Sequence, residues 1–205
     1  EMAVVMARTS MSPVIYEVLD FACGICDRDG ALIAQTNGIT LFTGTFSAQV
    51  RFILQRFGRD LRPGDSFISN DPFVGGTHAC DMAVIRPIFH EGDLIAFAIT
   101  VAHWLDVGGA VPGSLPPDAT SVFQEGIRLS GVRITRDDQL LDDMVRVIAE
   151  NVRLPVLALG DLNAEIAAVR IADRRLGEVI AKYGAPMLQR VFADILTSSE
   201  RQARA

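Results

Sequence analysis

The sequence predicts an α+β fold, with β-hairpins forming a sheet in the front half and long helices in the C-terminal third. Two apolar, β-compatible runs, Met82 to Phe89 and Leu94 to Ala102, are joined by His90-Glu91-Gly92-Asp93, the pattern of a hairpin. At the other end, Val156 to Tyr183 places Leu159, Leu162, Ile166, Val169, Ile171, Leu176 and Ile180 near a 3.6-residue period, which a strand cannot use and a long helix requires.

Taken in order, Leu19 to Gln35 alternates small and apolar residues around Asp27-Arg28-Asp29-Gly30 and predicts a first hairpin. Cys23 and Cys26 stand on its first strand, where side chains three apart face opposite sides of the sheet. Two structural cysteines are therefore expected, with redox or metal chemistry as the alternative, and no second C-x-x-C completes a zinc site. Phe46, Val50, Ile53, Leu54 and Phe57 predict a helix over Thr45 to Phe57, with Gly58 as its stop. Leu61 to Asp65 is a turn leading into a strand at Ser66 to Ser69. Val107 to Glu125, broken by Gly108, Gly109, Pro112, Gly113, Pro116 and Pro117, is longer than a simple connection needs. Asp142 to Asn151 predicts a helix, and Gly184-Ala185-Pro186 ends the long helix and starts another that runs to about Ser199. The expected organisation is an α+β domain over 1–150 carrying the candidate site, with 151–205 as its helical extension.

The chain has 205 residues, 49% hydrophobic and 21% charged, with a net charge of −6. It is long enough to bury a sizeable core. No run of basic residues offers a surface to nucleic acid or to an anionic membrane. No apolar stretch approaches the roughly 20 residues that cross a bilayer, and Glu1 to Ser10 lacks a signal-peptide pattern. The odd count of three cysteines fits a reducing compartment, so a cytoplasmic location is expected.

Chemistry concentrates in Asn70-Asp71-Pro72-Phe73-Val74-Gly75-Gly76-Thr77-His78-Ala79-Cys80-Asp81, where a His and a carboxylate follow two glycines just before a strand. The same H-x-x-D spacing recurs in His103-Trp104-Leu105-Asp106 at the end of the next strand. If the two strands pair as a hairpin, both pairs meet at one end of the sheet, and imidazole with carboxylate suits Zn²⁺, Mn²⁺ or Fe²⁺. The plainer reading stands beside this: a His at a strand end is more often hydrogen-bonded than ligating, and H-x-x-D recurs by chance. Asp71 before Pro72 is also a turn starter, and Trp104 reads as core before pocket wall. Cys80 is a candidate thiolate ligand or nucleophile, with nothing nearby to mark it as activated, and His90 falls in a solvated turn. There is no phosphate-binding glycine loop and no nucleophile elbow, so chemistry on this chain rests on a metal.

These residues resemble the hydantoinase B/5-oxoprolinase family, which includes subunits of acetone and acetophenone carboxylases. The resemblance runs through Asp20-Phe21 with Cys23, Asp27-x-Asp29-Gly30, Leu61-Arg62-Pro63-Gly64-Asp65 and Asn70-Asp71-Pro72-Phe73-x-Gly75-Gly76-Thr77-His78-x-x-Asp81. It continues through Ala102-His103, Asp106-x-Gly108-Gly109, Pro112-Gly113-Ser114, Phe123-Gln124-Glu125-Gly126, Asn151-x-Arg153 and Gly160-Asp161-Leu162. Ala79-Cys80 stand where the family usually has Leu-Pro, and Phe73 where it often has Tyr. Family subunits are usually much longer, so the chain corresponds to their N-terminal portion, as a fragment or as part of a split subunit.

The resemblance implies His78, Asp81 and His103 as direct metal ligands, with Asp20 as a further carboxylate ligand. Asp106 is implied as a ligand or as the acceptor that orients His103, and Glu125 as a candidate for proton transfer. It also implies a hetero-oligomer in which a hydantoinase A-type ATPase subunit binds ATP and Mg²⁺, which accounts for the missing phosphate loop. Two reactions follow from it, hydrolysis of a cyclic amide activated by phosphorylation and carboxylation of a ketone through phosphorylated intermediates. A non-catalytic assembly module is the reading from another class.

Overall fold

The computed structural model of the protein describes residues 1–36 and 38–204. Its strands are β1 (Phe21–Asp27), β2 (Leu32–Gln35), β3 (Ser66–Ser69), β4 (Asp81–His90), β5 (Asp93–His103), β6 (Val132–Arg136) and β7 (Gln139–Leu140). They form one seven-stranded sheet in the order β2-β1-β5-β4-β3-β6-β7, with every neighbouring pair antiparallel. The helices are α1 (Met2–Thr9), α2 (Pro13–Tyr16), α3 (Thr40–Thr43), α4 (Phe46–Phe57), α5 (Asp142–Asn151), α6 (Pro155–Tyr183) and α7 (Ala185–Arg204). The architecture is the α+β arrangement that the hairpin and helix patterns predict, with the sheet in the front half and the long helices at the end.

Both predicted hairpins form, each for a local reason. In the first, the Asp27 carboxylate accepts hydrogen bonds from the backbone N–H groups of Asp29 and Ala31, closing the turn between β1 and β2. In the second, Glu91 and Gly92 adopt φ of 51° and 90°, the left-handed pair that a two-residue turn between twisted strands requires. The β4–β5 register then sets Asp81 directly opposite His103.

Strand alternation divides the core in two. Phe21, Cys23, Met82, Val84, Ala98 and Ala102 join Met6 of α1 and Leu162, Ile166 and Val169 of α6 in one cluster. Ala22, Cys26, Ala83, Ile85, Phe97 and Ile99 join Phe46, Val50 and Ile53 of α4 in the other. Cys23 and Cys26 thus lie on opposite faces of the sheet as free, buried thiols, each pushed up to about 12 by burial. Gly24 lies between them because α4 comes close there: a Cβ at this position would sit 2.6 Å from Phe46 Cδ2.

Several elements were not expected from the sequence. α1 and α2 precede the first strand, and β6 and β7 form a third hairpin through Asp137 and Asp138, both in the left-handed region with φ of 49° and 62°. The nearly buried Arg86 on β4 ties this hairpin to the helical layer, pairing with Asp138 at 2.9 Å and with Asp173 of α6 at 2.8 Å. α6 also carries two buried carboxyl groups within its apolar face, Asp161 and Glu165. Asp161 accepts from the backbone N–H groups of Met11 and Ser12, and from the Ser12 hydroxyl, at the start of α2.

Candidate metal centre

The loop that leads into β4 is shaped by its own polar side chains. Asn70 donates from Nδ2 to the carbonyls of Ala79 (2.6 Å) and Ile127 (2.8 Å), and its Oδ1 accepts from the N–H of Leu129 (2.7 Å). This fully satisfied amide fastens the loop to the segment that follows the Gly/Pro stretch. Asp71 accepts from the N–H of Phe73 and from the Ser130 hydroxyl, so it is a turn anchor, as its place before Pro72 suggests. Gly75, at φ 104°, passes so close to α4 that a Cβ would lie 2.8 Å from Ala48 Cβ. The loop closes where the N–H of Asp81 reaches the carbonyl of His78, at 3.0 Å.

At this end of the sheet His78, Asp81 and His103 come together, with one ligand-capable atom from each lying within 4.8 Å of the others. The imidazole rings are 5.1 Å apart, at 72° to each other. His78 Nδ1 lies 2.9 Å from Asp81 Oδ2, and His103 Nδ1 lies 3.3 Å from Oδ1. Asp81 is buried, whereas the imidazoles open toward solvent, with side-chain exposures of 42% for His78 and 17% for His103.

The electrostatics follow from this packing. Burial opposes charge on Asp81, yet hydrogen bonds from His103 and Thr77, together with the adjacent His78 imidazole, outweigh it and hold the carboxyl at about 2. Contact with the Asp81 carboxylate raises His78 above its ordinary 6.5, against the opposing effect of burial, and the charge of Asp20 adds to the rise. Each contact between ring nitrogen and carboxylate is a hydrogen bond only while that nitrogen carries a proton. With the protons on Nε2 instead, two nitrogen lone pairs and a carboxylate point at one another with no hydrogen between them. His78 Nδ1, moreover, is buried and, among the described residues, lies outside hydrogen-bonding geometry toward any partner, Asp81 included. A divalent cation satisfies such a set of convergent acceptors, so the residues present fit one.

The other expected site residues lie around this cluster in different roles. Asp20 is half-buried, and its backbone carbonyl accepts from the N–H of His103 at 3.0 Å; its carboxylate is not one of the three groups that converge. Asp106 accepts from the backbone N–H groups of Gly108, Gly113 and Arg153 and from the Arg153 guanidinium, and these bonds lower its carboxyl against burial. His103 Nδ1 therefore faces Asp81, and Asp106 faces the loop that follows. Arg153 completes that loop by donating to the carbonyls of Gly108, Gly109 and Val111. Glu125 is half-buried at the end of a short 3-10 turn, and its charge acts on Cys80. Cys80 belongs to the core cluster that includes α6, its thiol pushed up to about 12 by burial and by the charges of Asp81, Asp106 and Glu125. Trp104 is fully buried core, and its indole N–H donates to Glu165.

Three residues that shape this region escaped the sequence reading. Thr77 donates its hydroxyl to Asp81, Arg153 ties the loop to Asp106, and Glu165 receives Trp104. Thr77 and Arg153 stood within the quoted motifs without a role. The signal for Glu165 was a charged residue in register with Leu162, Ile166 and Val169 on the apolar stripe of a helix.

Comparison with known proteins identifies the family. The chain matches the Hydantoinase B/oxoprolinase family over residues 1–205. It is 31% identical over 204 residues to a 5-oxoprolinase of Dictyostelium discoideum, covering 100% of this chain and 16% of that protein. It is 28% identical over 205 residues to caprolactamase subunit beta of Pseudomonas jessenii, covering 100% of this chain and 35% of the subunit. The crystal structure of the ATP-dependent caprolactamase from Pseudomonas jessenii superposes with a TM-score of 0.94 at 27% identity, over 99% of this chain and 35% of that one. A nucleotide-free acetone carboxylase shares the fold, with a TM-score of 0.90 at 23% identity over 95% of this chain and 26% of that one. The chain thus spans about a third or less of the length of these relatives. Matched from end to end, with its convergent histidines and aspartate inside the matched region, the chain belongs to the hydantoinase B/oxoprolinase family.

Proposed function

We propose that this chain holds the metal centre of an ATP-dependent enzyme that hydrolyses a cyclic amide such as a hydantoin, 5-oxoproline or a lactam. The observation that carries the reading is the convergence of His78, Asp81 and His103 at the paired ends of β4 and β5. In this reading His78, Asp81 and His103 hold a divalent cation, Zn²⁺, Mn²⁺ or Fe²⁺, with Asp20 as a further carboxylate within electrostatic reach of His78. Such an ion supplies Lewis acidity toward a carbonyl or phosphoryl oxygen.

The protein groups prepare that role. Thr77 and both imidazoles keep Asp81 ionised throughout the neutral range, so the donor set retains its negative charge. The buried carboxylate is fixed by its β4 position, while the half-exposed His78 leaves the solvent side accessible to a substrate. Glu125, on the neighbouring loop, is the carboxylate available for proton transfer.

The amide is activated elsewhere. Relatives named an ATP-dependent caprolactamase and a subunit beta support a hetero-oligomer in which a hydantoinase A-type ATPase subunit binds ATP and Mg²⁺. The test is reconstitution with that partner. ATP turnover that depends on a cyclic amide and on the divalent cation, and that is lost in His103→Ala, is the expected outcome. Turnover that instead requires bicarbonate and a ketone would replace hydrolysis by carboxylation, and unaltered turnover in His103→Ala would rule out a catalytic metal held by His103.

A further inference from the structure

Position 104 lies one residue beyond the candidate ligand His103, and alternation sends the two side chains to opposite faces of the sheet. His103 turns toward Asp81, whereas Trp104 enters the core shared with α6 and is fully buried. Two bonds fix Trp104 there. Its backbone N–H donates to the carbonyl of Cys80, next to Asp81, at 2.8 Å, and its indole N–H donates to Glu165 Oε1 at 2.9 Å. The second carboxyl oxygen of Glu165 is 2.9 Å from the hydroxyl of Thr100, three residues before His103. One side chain of α6 therefore grips β5 on both sides of the imidazole.

A carboxyl group at this place is costly. Glu165 is completely buried, and Asp161 lies one turn away on the same helix. An apolar residue of similar size would ordinarily serve packing at least as well. Burial, with the added effect of Asp161, pushes the Glu165 carboxyl well above its ordinary range. A proton retained on Oε2 is donated to Thr100, whose own hydroxyl proton is then free for the Val84 carbonyl at 3.5 Å. Every polar atom in the group is then satisfied without a charge, which a glutamine in the same pose reproduces.

We infer that Glu165 is a positioning residue for the metal centre, holding the end of β5 through the Trp104 indole so that His103 stays at ligand distance from Asp81 and His78. The inference rests on the reading of those three residues as a cation site. Its test is Mn²⁺ affinity of the full chain, followed by electron paramagnetic resonance beside thermal melting, for wild type, Glu165→Gln, Glu165→Leu, Trp104→Phe and the double variant Glu165→Leu/Trp104→Phe. Glu165→Gln should bind within about threefold of wild type, because it keeps both hydrogen bonds. Glu165→Leu and Trp104→Phe should each weaken Mn²⁺ by about tenfold or more, the range in which groups supporting ligands act. The double variant should bind no more weakly than the weaker single one, since both changes break one linkage. If Glu165→Leu fails to fold, Trp104→Phe decides alone, as its ring still fills the core. Wild-type affinity in Trp104→Phe, or additive losses in the double variant, overturns the inference while leaving the cation site in place. No Mn²⁺ binding by wild type overturns the cation site itself.

Discussion

Asp81 and His103 face each other across the β4–β5 hairpin, with His103 Nδ1 3.3 Å from Asp81 Oδ1. One register therefore sets the spacing of the site, and a slip of either strand by one residue would put the two side chains on opposite faces of the sheet. Asp81→Asn keeps the shape and removes the charge. It should weaken Mn²⁺ or Zn²⁺ by at least about 100-fold, more than the loss of a group that merely supports a ligand. Isothermal titration checks this, with far-UV circular dichroism showing that the fold remains.

The pH dependence of the metal-free chain follows from the same contact. Asp81 is held at about 2 against an ordinary 3.8, so its stabilising contribution is complete above 3.8 and disappears as pH falls through about 2. His78 is raised above 6.5, so its contribution is complete below 6.5 and is lost as pH rises through its folded value. Urea denaturation as a function of pH should show both limbs, and Asp81→Asn should flatten both.

Cation affinity should run the opposite way on the neutral side. A proton on His78 Nδ1 competes with a metal for the same lone pair, so affinity should fall as pH drops through the raised His78 value, with protons released on binding. Titrations in buffers of different ionisation enthalpy count those protons. An affinity that is flat across that range would exclude His78 as a ligand.

Asp106 and Arg153 predict a separation of stability from metal binding. Arg153→Ala leaves the Asp106 carboxylate without its guanidinium and should cost about 2 kcal/mol, less than for a fully enclosed pair because the Arg153 side chain is 38% exposed. Hydrogen exchange should quicken across 106–114, the segment fastened by these bonds. Cation affinity of Asp106→Asn should stay within about threefold of wild type, because Asp106 faces the loop. A loss as large as that of Asp81→Asn would return Asp106 to the ligand set.

The face of the sheet opposite α6 carries its own prediction. Phe46→Ala empties a fully buried position between β1 and α4 and should cost about 3–5 kcal/mol. Gly24→Ala pushes a methyl to 2.6 Å from the same ring and should cost about 1–3 kcal/mol. In the double variant Gly24→Ala/Phe46→Ala the added methyl enters the space left by the ring, so the combined cost should be less than the sum of the single ones. Chemical denaturation of the three variants measures it.

Much of this arrangement was legible in the residues, because local rules and tertiary packing agree along β4, β5 and α6. Apolar runs flanking Glu91-Gly92 specify a hairpin, and the hairpin brings positions 78 to 81 and 103 to one end of the sheet. The helix Asp142–Asn151 and the stop at Gly184 were readable for the same reason. What stayed hidden depends on partners distant along the chain. Arg153 claims Asp106 across 47 residues and Glu165 receives Trp104 across 61, and neither spacing follows from a local pattern. α1 is eight residues long and draws its stability from packing on α6, while β6 and β7 are short and turn at two aspartates in the left-handed region, where glycine would have been the readable signal.

In the proposed centre the imidazoles of His78 and His103 share one cation with Asp81. Electron spin echo envelope modulation of the Mn²⁺-loaded full chain measures it most directly, because it registers the nitrogens bound to the ion. Two imidazole nitrogens are expected in the wild-type chain, one from each histidine of the cluster, and a single one in a variant lacking either ring that still retains Mn²⁺ at high concentration. A spectrum without nitrogen coupling, or one unchanged by His103→Ala, would contradict it.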